Sequence, residues 1–367
     1  MQLKIVLWNT NGLAQHTEEE KNYTLNQQID IMLISETHFT TRSYFKIPNY
    51  AIYDIQHPDG TAHRGTAMLI KNGIKHHLHG HYNLEHLQAT SITVEDWIGP
   101  LTIAANYCPP KHNIKAEQFR HFYTSLGHRF LAGGDCNAKH THWGSQLVAP
   151  RGRELLKAMQ EENLMYVSTG EPTYWPSDKR KVPDLHLLDF GVTKGIPAHS
   201  IQAVSGFDLS SEHSPVLLIM HTRITLQNRP PTLSSKTTNW VTFQNYINEN
   251  LTLEVPLKTD QDIEDYVHHL VQTIQQAAWF STSNPHKISN QNTCAPALKQ
   301  KILDRRWLRR QLHSTRSPQD KANLNKATNE LKILLNNYKQ QAKQTYLESL
   351  TPTEATDYSL WRATKRL

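Results

Sequence analysis

The sequence has 367 residues, of which 38% are hydrophobic and 20% charged, and its formal net charge is +6. This length and composition predict a globular protein with two domains, or with one large core and an appendage. No run of eighteen apolar residues occurs, so we expect no membrane-spanning helix and no membrane partner. The three scattered cysteines argue against a disulfide framework and favour a reducing compartment, the nucleus or the cytoplasm.

Short apolar runs alternate with polar, turn-rich stretches up to about residue 223. Each run has four to eight residues and is rich in Ile, Val and Leu, which favours strands over helices. A helical pattern with one apolar face covers 149–165, so the region is predicted to be α/β. The predicted strands cover 3–8, 30–35, 66–71, 90–94, 101–106, 128–133, 185–192 and 215–220.

Mostly helical patterns follow a Pro- and Ser-rich boundary at 227–235. The segment 298–346 predicts a helical hairpin, with Ser317 as the N-cap of its second helix and Pro318 at the first helical position. We therefore expect three parts: a domain over 1–223, a linker and helical segment over 224–296, and a basic helical hairpin over 297–367.

The predicted hairpin is strongly basic. From Lys299 to Lys343 there are twelve Lys and Arg residues against three acids. This concentration suggests a polyanion partner, most simply a nucleic acid, although a solvated helix face would show the same pattern.

Several predicted strands end beside a residue that can bind a metal or a phosphate. Each such residue alone is explained by a turn or a helix cap. Their repetition in one context instead favours a single site at one edge of the sheet. The glycines 133 and 134 are interpreted as room for the backbone to approach a phosphate. The residues are Asn9, Asn11, Glu36, Tyr107, Asp135, Asn137, Asp189 and His213.

This set of side chains favours one kind of chemistry. Glu36 is a hard oxygen ligand of the type that Mg²⁺ prefers. Asp135 and Asn137 are one residue apart and can reach the same water or phosphate oxygen. Asp189 can pair with His213 and orient its imidazole. No serine or cysteine is placed as a nucleophile, so metal-assisted attack of water on a phosphate ester is predicted.

Six motifs resemble those of the endonuclease/exonuclease/phosphatase superfamily and occur in the same order over residues 1–223. The segment with Lys139, His140, Trp143 and Ser145 resembles the endonuclease of jockey-type non-LTR retrotransposons. The resemblance implies a four-layer α/β sandwich of two mostly antiparallel or mixed sheets flanked by helices, followed by a mainly helical C-terminal extension. The motifs read LWNTNGL, LISETH, NYCPP, GGDCNAKHTHWGS, LLDFGV and SSEHSPV.

A metal site is implied by the same resemblance. Glu36 would be the main Mg²⁺ ligand, helped by Asn9 and Asn11, and Mn²⁺ would substitute for Mg²⁺. Glu212 stands where aspartate is usual in the family and would be a further metal or water ligand. Its extra methylene leaves open whether the enzyme is active.

The resemblance also implies catalytic roles. Asp135 would align or deprotonate the attacking water, and Asn137 would hold the scissile phosphate. His213, oriented by Asp189, would bind the phosphate and stabilise the developing charge. Tyr107 would place its phenol against the phosphate or the leaving oxygen. The choice of base between Asp135 and His213 stays open from the sequence.

Basic residues near these motifs are candidates for nucleic-acid contact. The segment 174–183 carries three adjacent basic residues after Tyr174 and Trp175 and would enter the minor groove or grip the backbone; a solvated hairpin tip would look the same. His140 would touch substrate, whereas Trp143 reads as a core residue. The candidates are Arg42, Arg64, His140, Lys179, Arg180, Lys181, Arg305, Arg306, Arg309 and Arg310.

The function implied is a Mg²⁺-dependent endonuclease that nicks double-stranded target DNA and leaves a 3′-hydroxyl that primes reverse transcription. The stretch 357–367 resembles the sequence just before a reverse transcriptase, so we expect the N-terminal part of an element's polyprotein, or a truncated copy, without that polymerase. The basic hairpin would bind the element's RNA or the target DNA, or act as a strut. The alternatives are a catalytically inactive nucleic-acid-binding remnant and a superfamily phosphatase or ribonuclease; the oligomeric state is open.

Overall fold

The computed structural model describes residues 2–57, 59–176, 186–206, 209, 211–227, 234, 238–251, 258–282 and 296–348. Twelve strands lie within these ranges: β1 (Gln2–Asn9), β2 (Ile31–Ser35), β3 (Tyr50–Ile55), β4 (Thr66–Lys71), β5 (His76–Asn83), β6 (Gln88–Asp96), β7 (Gly99–Tyr107), β8 (Phe130–Asp135), β9 (Met165–Val167), β10 (Asp189–Lys194), β11 (Ile201–Ser205) and β12 (Val216–His221). The helices are α1 (Thr17–Asn26), α2 (Ala116–Ser125), α3 (Pro150–Glu161), α4 (Trp240–Asn250), α5 (Asp260–Ser281), α6 (Pro296–Thr315) and α7 (Pro318–Glu348).

The strands form two six-stranded sheets, in the orders β11-β12-β1-β2-β4-β3 and β5-β6-β7-β8-β10-β9. Each sheet is mixed, since β1 and β2 run parallel in one and β7 and β8 run parallel in the other. The other strand pairs are antiparallel. This arrangement, with helices outside the sheets, confirms the predicted α/β fold of two mixed sheets.

Apolar side chains from both sheets form one central core, to which Leu7 of β1 and Leu131 of β8 both belong. A Cβ atom at Gly133 would lie 2.4 Å from Leu7 Cδ2, and one at Gly134 would lie 1.9 Å from the Asn106 carbonyl oxygen. Both glycines are buried and are required for packing inside the sandwich. The interpretation that they make room for a phosphate is therefore wrong.

All eight predicted strands are present, and the four additional strands, β3, β5, β9 and β11, are the edges of the two sheets. Their side chains are mostly half-buried or exposed, as in β5, which reads HHLHGHYN. An edge strand with so little burial does not need a continuous apolar run, so the sequence pattern does not reveal it.

The predicted hairpin is formed by α6 and α7. Ser317 Oγ accepts a hydrogen bond from Gln319 N at 3.2 Å, and α7 begins at Pro318, which confirms the predicted cap. The two helices belong to one compact unit with the sandwich, whereas α4 and α5 belong to a second unit. None of the described helices is long and apolar enough to cross a membrane.

Candidate active site

The residues predicted from the strand ends meet at one edge of the two sheets. The parallel pairs β1–β2 and β7–β8 bring Asn9 beside Ser35, and Tyr107 beside Asp135. Strand β10 is antiparallel to β8, so its first residue, Asp189, lies opposite Asp135. The strand register therefore fixes the relative positions of the Cα atoms that carry these side chains.

Asn9 links the carboxylates of Glu36 and Asp135. Its Nδ2 donates to Glu36 Oε1 at 3.0 Å and to Asp135 Oδ2 at 2.9 Å. Its Oδ1 accepts from Asn11 N at 3.0 Å. As oriented here, Asn9 joins the two acids by hydrogen bonds, and its amide oxygen serves the following turn instead of facing the acids.

Glu36 is held as a carboxylate. Burial raises its pKa, but hydrogen bonds from His38, Tyr107 and Asn9, together with the charge of His213, outweigh burial and lower the pKa to about 2. Burial and the charge of Glu36 raise the pKa of Tyr107, so its hydroxyl stays protonated and pairs with Glu36. The predicted contact of this phenol with a phosphate would compete with that hydrogen bond.

Asp135 lies in a donor-rich, buried position. The backbone N of Asn137 donates to its Oδ1 at 2.8 Å, and Asn137 Nδ2 donates to its Oδ2 at 3.1 Å. Burial, followed by the charge of Asp189, raises the pKa of Asp135 to about 7. A carboxylate with this pKa can exchange a proton near neutral pH.

Asp189 and His213 form the pair anticipated from the sequence. His213 Nδ1 donates to Asp189 Oδ2 at 2.7 Å. Burial lowers the pKa of His213, but the charge and hydrogen bond of Asp189 outweigh it and raise the pKa to about 9. The imidazole is therefore positively charged at neutral pH in this arrangement.

Two supporting residues were not predicted individually. Thr173 Oγ1 donates to Asp189 Oδ2 at 2.7 Å and accepts from the backbone N of Asp189 at 3.1 Å. Ser211 Oγ donates to Asn9 O at 2.8 Å and accepts from His213 N at 2.9 Å. Ser211 lies inside the quoted SSEHSPV motif, whereas nothing in the sequence distinguishes Thr173 from other threonines.

The chemistry of the site suits a divalent cation. Asp135 and Asp189 offer carboxylate oxygens that lie within 4.8 Å of each other and of a His213 ring nitrogen; the protonated His213 would not itself bind a metal. Asp189 Oδ1 is buried and has no hydrogen-bond partner among the described residues. An ionised Glu36 at the same edge adds the hard oxygen donor that Mg²⁺ prefers.

Arg64 is held beside the loop that follows Glu36. Its carbonyl oxygen accepts from His38 N at 2.8 Å, and its Nη1 donates to His57 Nε2 at 2.8 Å. His57 Nδ1 lies 2.7 Å from Asp59 Oδ1. His57, Asp59 and His63 could also hold a metal by their spacing. However, Nε2 of His57 is hydrogen-bonded to Arg64 and its Nδ1 faces Asp59, so we assign this chain of contacts to the orientation of Arg64.

The other nucleic-acid candidates lie in different surroundings. Arg42 and Arg310 are exposed, and Arg306 is half-buried. Lys179, Arg180 and Lys181 lie outside the described residues. Arg305 and Arg309 are only 2% and 3% exposed and bind protein groups, so they are not available to a nucleic acid in this structure.

The remaining motif residues fall into structural and surface positions. Trp143 is fully buried against Phe190, which confirms its prediction as a core residue. Ser145 Oγ donates to Leu187 O at 2.6 Å inside the fold. His140 is half-buried, with Nδ1 accepting from His142 N at 3.0 Å. Glu212 is half-buried, and its carbonyl oxygen accepts from Trp175 N at 2.8 Å.

Comparison with known proteins places this geometry in context. The family described as endonuclease-reverse transcriptase matches residues 101–217. The chain is 30% identical over 369 residues to a probable RNA-directed DNA polymerase from transposon BS of Drosophila melanogaster. It is 28% identical over 369 residues to the RNA-directed DNA polymerase from mobile element jockey of Drosophila funebris. Both alignments cover 99% or more of this chain but 40% of the relative, so the chain spans about two fifths of their length.

Two solved structures share the fold. The endonuclease domain of TRAS1, a telomere-specific non-LTR retrotransposon, matches with a TM-score of 0.50 and 18% identity, covering 60% of this chain and 98% of that domain. The AP endonuclease LMAP from Leishmania major matches with a TM-score of 0.50 and 14% identity, covering 60% of this chain and 87% of that protein.

Proposed function

We propose that this chain, which belongs to the endonuclease/exonuclease/phosphatase superfamily as an endonuclease region of the jockey-type non-LTR retrotransposons, hydrolyses phosphodiester bonds in DNA with the help of Mg²⁺. The specific proposal is a nick in one strand of double-stranded DNA that leaves a 3′-hydroxyl, which then primes reverse transcription. The observation that carries it is the convergence of an ionised Glu36, a proton-exchanging Asp135 and a charged Asp189–His213 pair at one sheet edge.

Glu36 is the residue best suited to hold the metal, because its pKa is lowered to about 2 and it stays ionised. A bound divalent cation would supply Lewis-acid stabilisation of the phosphate charge. The Asn9 hydrogen bond keeps Glu36 next to Asp135, so the metal ligand and the proton acceptor are held at a constant separation.

The pKa values of Asp135 and His213 suggest a different catalytic role for each of these two candidate bases. Asp135, with a pKa of about 7, can align a water molecule and accept its proton. His213, with a pKa of about 9, is already protonated, so it would bind a phosphate oxygen and stabilise the charge that develops there. When the water oxygen bonds to phosphorus, the bond to the 3′ oxygen breaks, and that oxygen leaves as the 3′-hydroxyl after it gains a proton.

Arg64 is proposed to bind the DNA backbone, since its guanidinium is positioned by His57 next to the loop that follows Glu36. The exposed Arg310 and Arg42 are weaker candidates for the same role. Binding of element RNA by the hairpin and residence in the nucleus and cytoplasm stay predictions from the sequence.

The test is incubation of the full chain with supercoiled plasmid, in Mg²⁺ or in EDTA, beside an Asp135→Ala variant. We expect Mg²⁺-dependent conversion to open circles that a DNA polymerase extends without prior phosphatase treatment. Extension only after phosphatase treatment would contradict the 3′-hydroxyl product. Retention of plasmid without nicking would support the inactive remnant, and cleavage only of single-stranded RNA or a small phosphate ester would support the other alternative.

A further inference from the structure

Helix α6 packs against the chain segment that presents His213. Arg305 and Arg309 are four residues apart, so they lie on the same face of this helix, and both are buried. Their guanidinium groups point at the residues between β11 and β12, about ninety-five positions earlier in the sequence.

The two arginines bind three groups of this segment. Arg305 donates from Nη1 to Leu209 O and from Nη2 to Ser211 O at 3.2 Å. Arg309 donates from Nη2 to the same Ser211 O at 3.0 Å and from Nη1 to Ser214 Oγ at 2.5 Å. Leu209 and Ser211 are buried and lie outside the named strands, so the guanidinium groups supply hydrogen-bond donors to carbonyl oxygens that no strand ladder serves.

One route leads from these contacts to the backbone of His213. Ser211 Oγ accepts from His213 N at 2.9 Å and from Trp8 Nε1 at 3.1 Å, and it donates to Asn9 O at 2.8 Å. Holding the carbonyl of Ser211 therefore also holds the hydroxyl that ties the His213 backbone to the end of β1.

A second route leads to the ring of His213. Ser214 Oγ, which binds Arg309, also accepts from Trp175 Nε1 at 3.0 Å. The Arg309 guanidinium lies over the Trp175 ring at 5.4 Å from its centroid. The adjacent Tyr174 ring packs against the His213 imidazole with centroids 4.9 Å apart.

We propose that α6 is an integral part of the nuclease centre, and that Arg305 and Arg309 are positioning residues that keep His213 opposite Asp189. This inference rests on the proposed nuclease function for its kinetic consequence, while its structural consequence does not depend on activity. About two fifths of this chain has no counterpart in the TRAS1 endonuclease domain, since 60% of the chain accounts for 98% of that domain. Two of the basic side chains of α6 are therefore buried and bind protein groups instead of facing a nucleic acid.

The experiment compares the full-length chain with its Arg309→Ala variant. Misplacement of His213 should lower kcat for nicking by roughly 10- to 100-fold while KM for DNA changes by less than about threefold, because Arg309 does not reach solvent. Arg309→Lys keeps the charge but not the planar guanidinium that reaches two acceptors, so its kcat should lie between that of the wild type and that of Arg309→Ala. Lys332→Ala removes the same charge from an exposed position of α7 and should leave kcat unchanged.

A second readout reports the geometry directly. The proton shared by His213 Nδ1 and Asp189 should give a low-field imidazole NMR signal, which is assigned by its absence in His213→Gln. We expect Arg309→Ala to lose or shift this signal while its circular dichroism and plasmid binding stay at the wild-type level. A wild-type kcat with an intact signal in Arg309→Ala would overturn the proposal.

The two proposals fail in distinguishable ways. An inactive wild-type chain would end the nuclease proposal, and the NMR signal would then decide the positioning role alone. If Arg309→Ala does not fold, Ser214→Ala replaces it, since this change removes only the hydroxyl shared by Arg309 and Trp175. Retention of both kcat and the signal in Ser214→Ala would then contradict the positioning role.

Discussion

The active site consists of two halves that are positioned in different ways. Asn9, Tyr107 and Asp135 belong to central strands, and their backbones are fixed by neighbouring strands in the ladder. His213 precedes β12 in a loop, where a single isolated backbone bridge pairs it with Tyr174. Side chains add the rest of its support, above all Ser211 and the two buried arginines of α6. The strand half is held by the strand ladder itself, whereas the loop half also depends on side chains about ninety-five positions later in the sequence.

The two halves also differ in whether the residues that react are the same residues that hold the geometry of the site. In the strand half, the residues that hold the geometry are also the residues that react, as in the Asn9 bridge between Glu36 and Asp135. In the loop half, the support comes from a helix that does not touch the predicted reacting atoms. A change in the first half should therefore abolish cleavage, and a change in the second should weaken it.

The largest effect is expected at Asp135. Asp135→Asn preserves the shape of the side chain but removes the proton acceptor, so single-turnover nicking should fall at least about 10²-fold. Because burial raises the pKa of Asp135 to about 7, its ionised form destabilises the fold at higher pH. The variant should thus melt at the same or a higher temperature than wild type at pH 8 in EDTA. Nicking above a tenth of the wild-type rate would exclude this role.

A smaller loss of cleavage is expected when the hydrogen bonds that position Asp189 are removed at Thr173. Thr173→Val removes the hydroxyl that donates to Asp189 and accepts from two backbone amides, at Leu188 and Asp189. We expect kcat to fall by roughly tenfold, because a misoriented carboxylate no longer holds the imidazole. Thr169→Val is the matched control, because Thr169 is half-buried four residues earlier and its hydroxyl binds the backbone of Glu171 and not Asp189. Equal rates for the two variants would show that the register of β10 alone positions Asp189.

The central strands and the motifs at their ends could be predicted from sequence because both are local signals. A strand buried on both faces, such as β4, reads as a continuous apolar run. The edge strands escaped prediction because little of their surface is buried; β5 carries four histidines in eight residues. The fold class and the reacting residues of both halves could therefore be predicted from the sequence.

The sequence predicts His213 itself but not the side chains that support it, because a charge pattern does not show which groups the arginines bind. Arg305 and Arg309 were candidates for nucleic-acid contact together with Arg306 and Arg310, since all four lie in one basic helix. Only the three-dimensional structure shows that two of them bind carbonyl groups of a distant loop. In the same way, Gly133 was assigned to phosphate binding although its neighbour is Leu7 of the facing sheet.

A smaller effect, on binding and not on the chemical step, is expected at Arg64. Arg64→Ala should weaken plasmid binding about three- to tenfold and lower the slope of log K against log salt by about 1, as for the loss of one phosphate contact. Lys75→Ala, which removes an exposed lysine paired with Glu95, serves as the control. An unchanged salt slope in Arg64→Ala would contradict a phosphate contact.

The smallest effect on cleavage is expected outside both halves, at Glu20 of α1, where a change should alter stability alone. Burial raises the pKa of Glu20 to about 8, well above the value of 4.5 for a free glutamate. The folded state therefore binds a proton that the unfolded state releases between these two pH values, so wild-type stability falls as the pH rises through this window.

Glu20→Gln removes this titration but keeps an oxygen that accepts from Thr24 Oγ1. Its advantage in unfolding free energy over wild type should grow from near zero at pH 4 to at most about 4 kcal/mol at pH 8, and it should level off above about pH 9. Urea unfolding at several pH values measures this, with the exposed Glu117→Gln as a control. A difference that does not change with pH would mean that Glu20 is ionised in the folded protein, and the buried carboxylate would then need a cationic partner within the core.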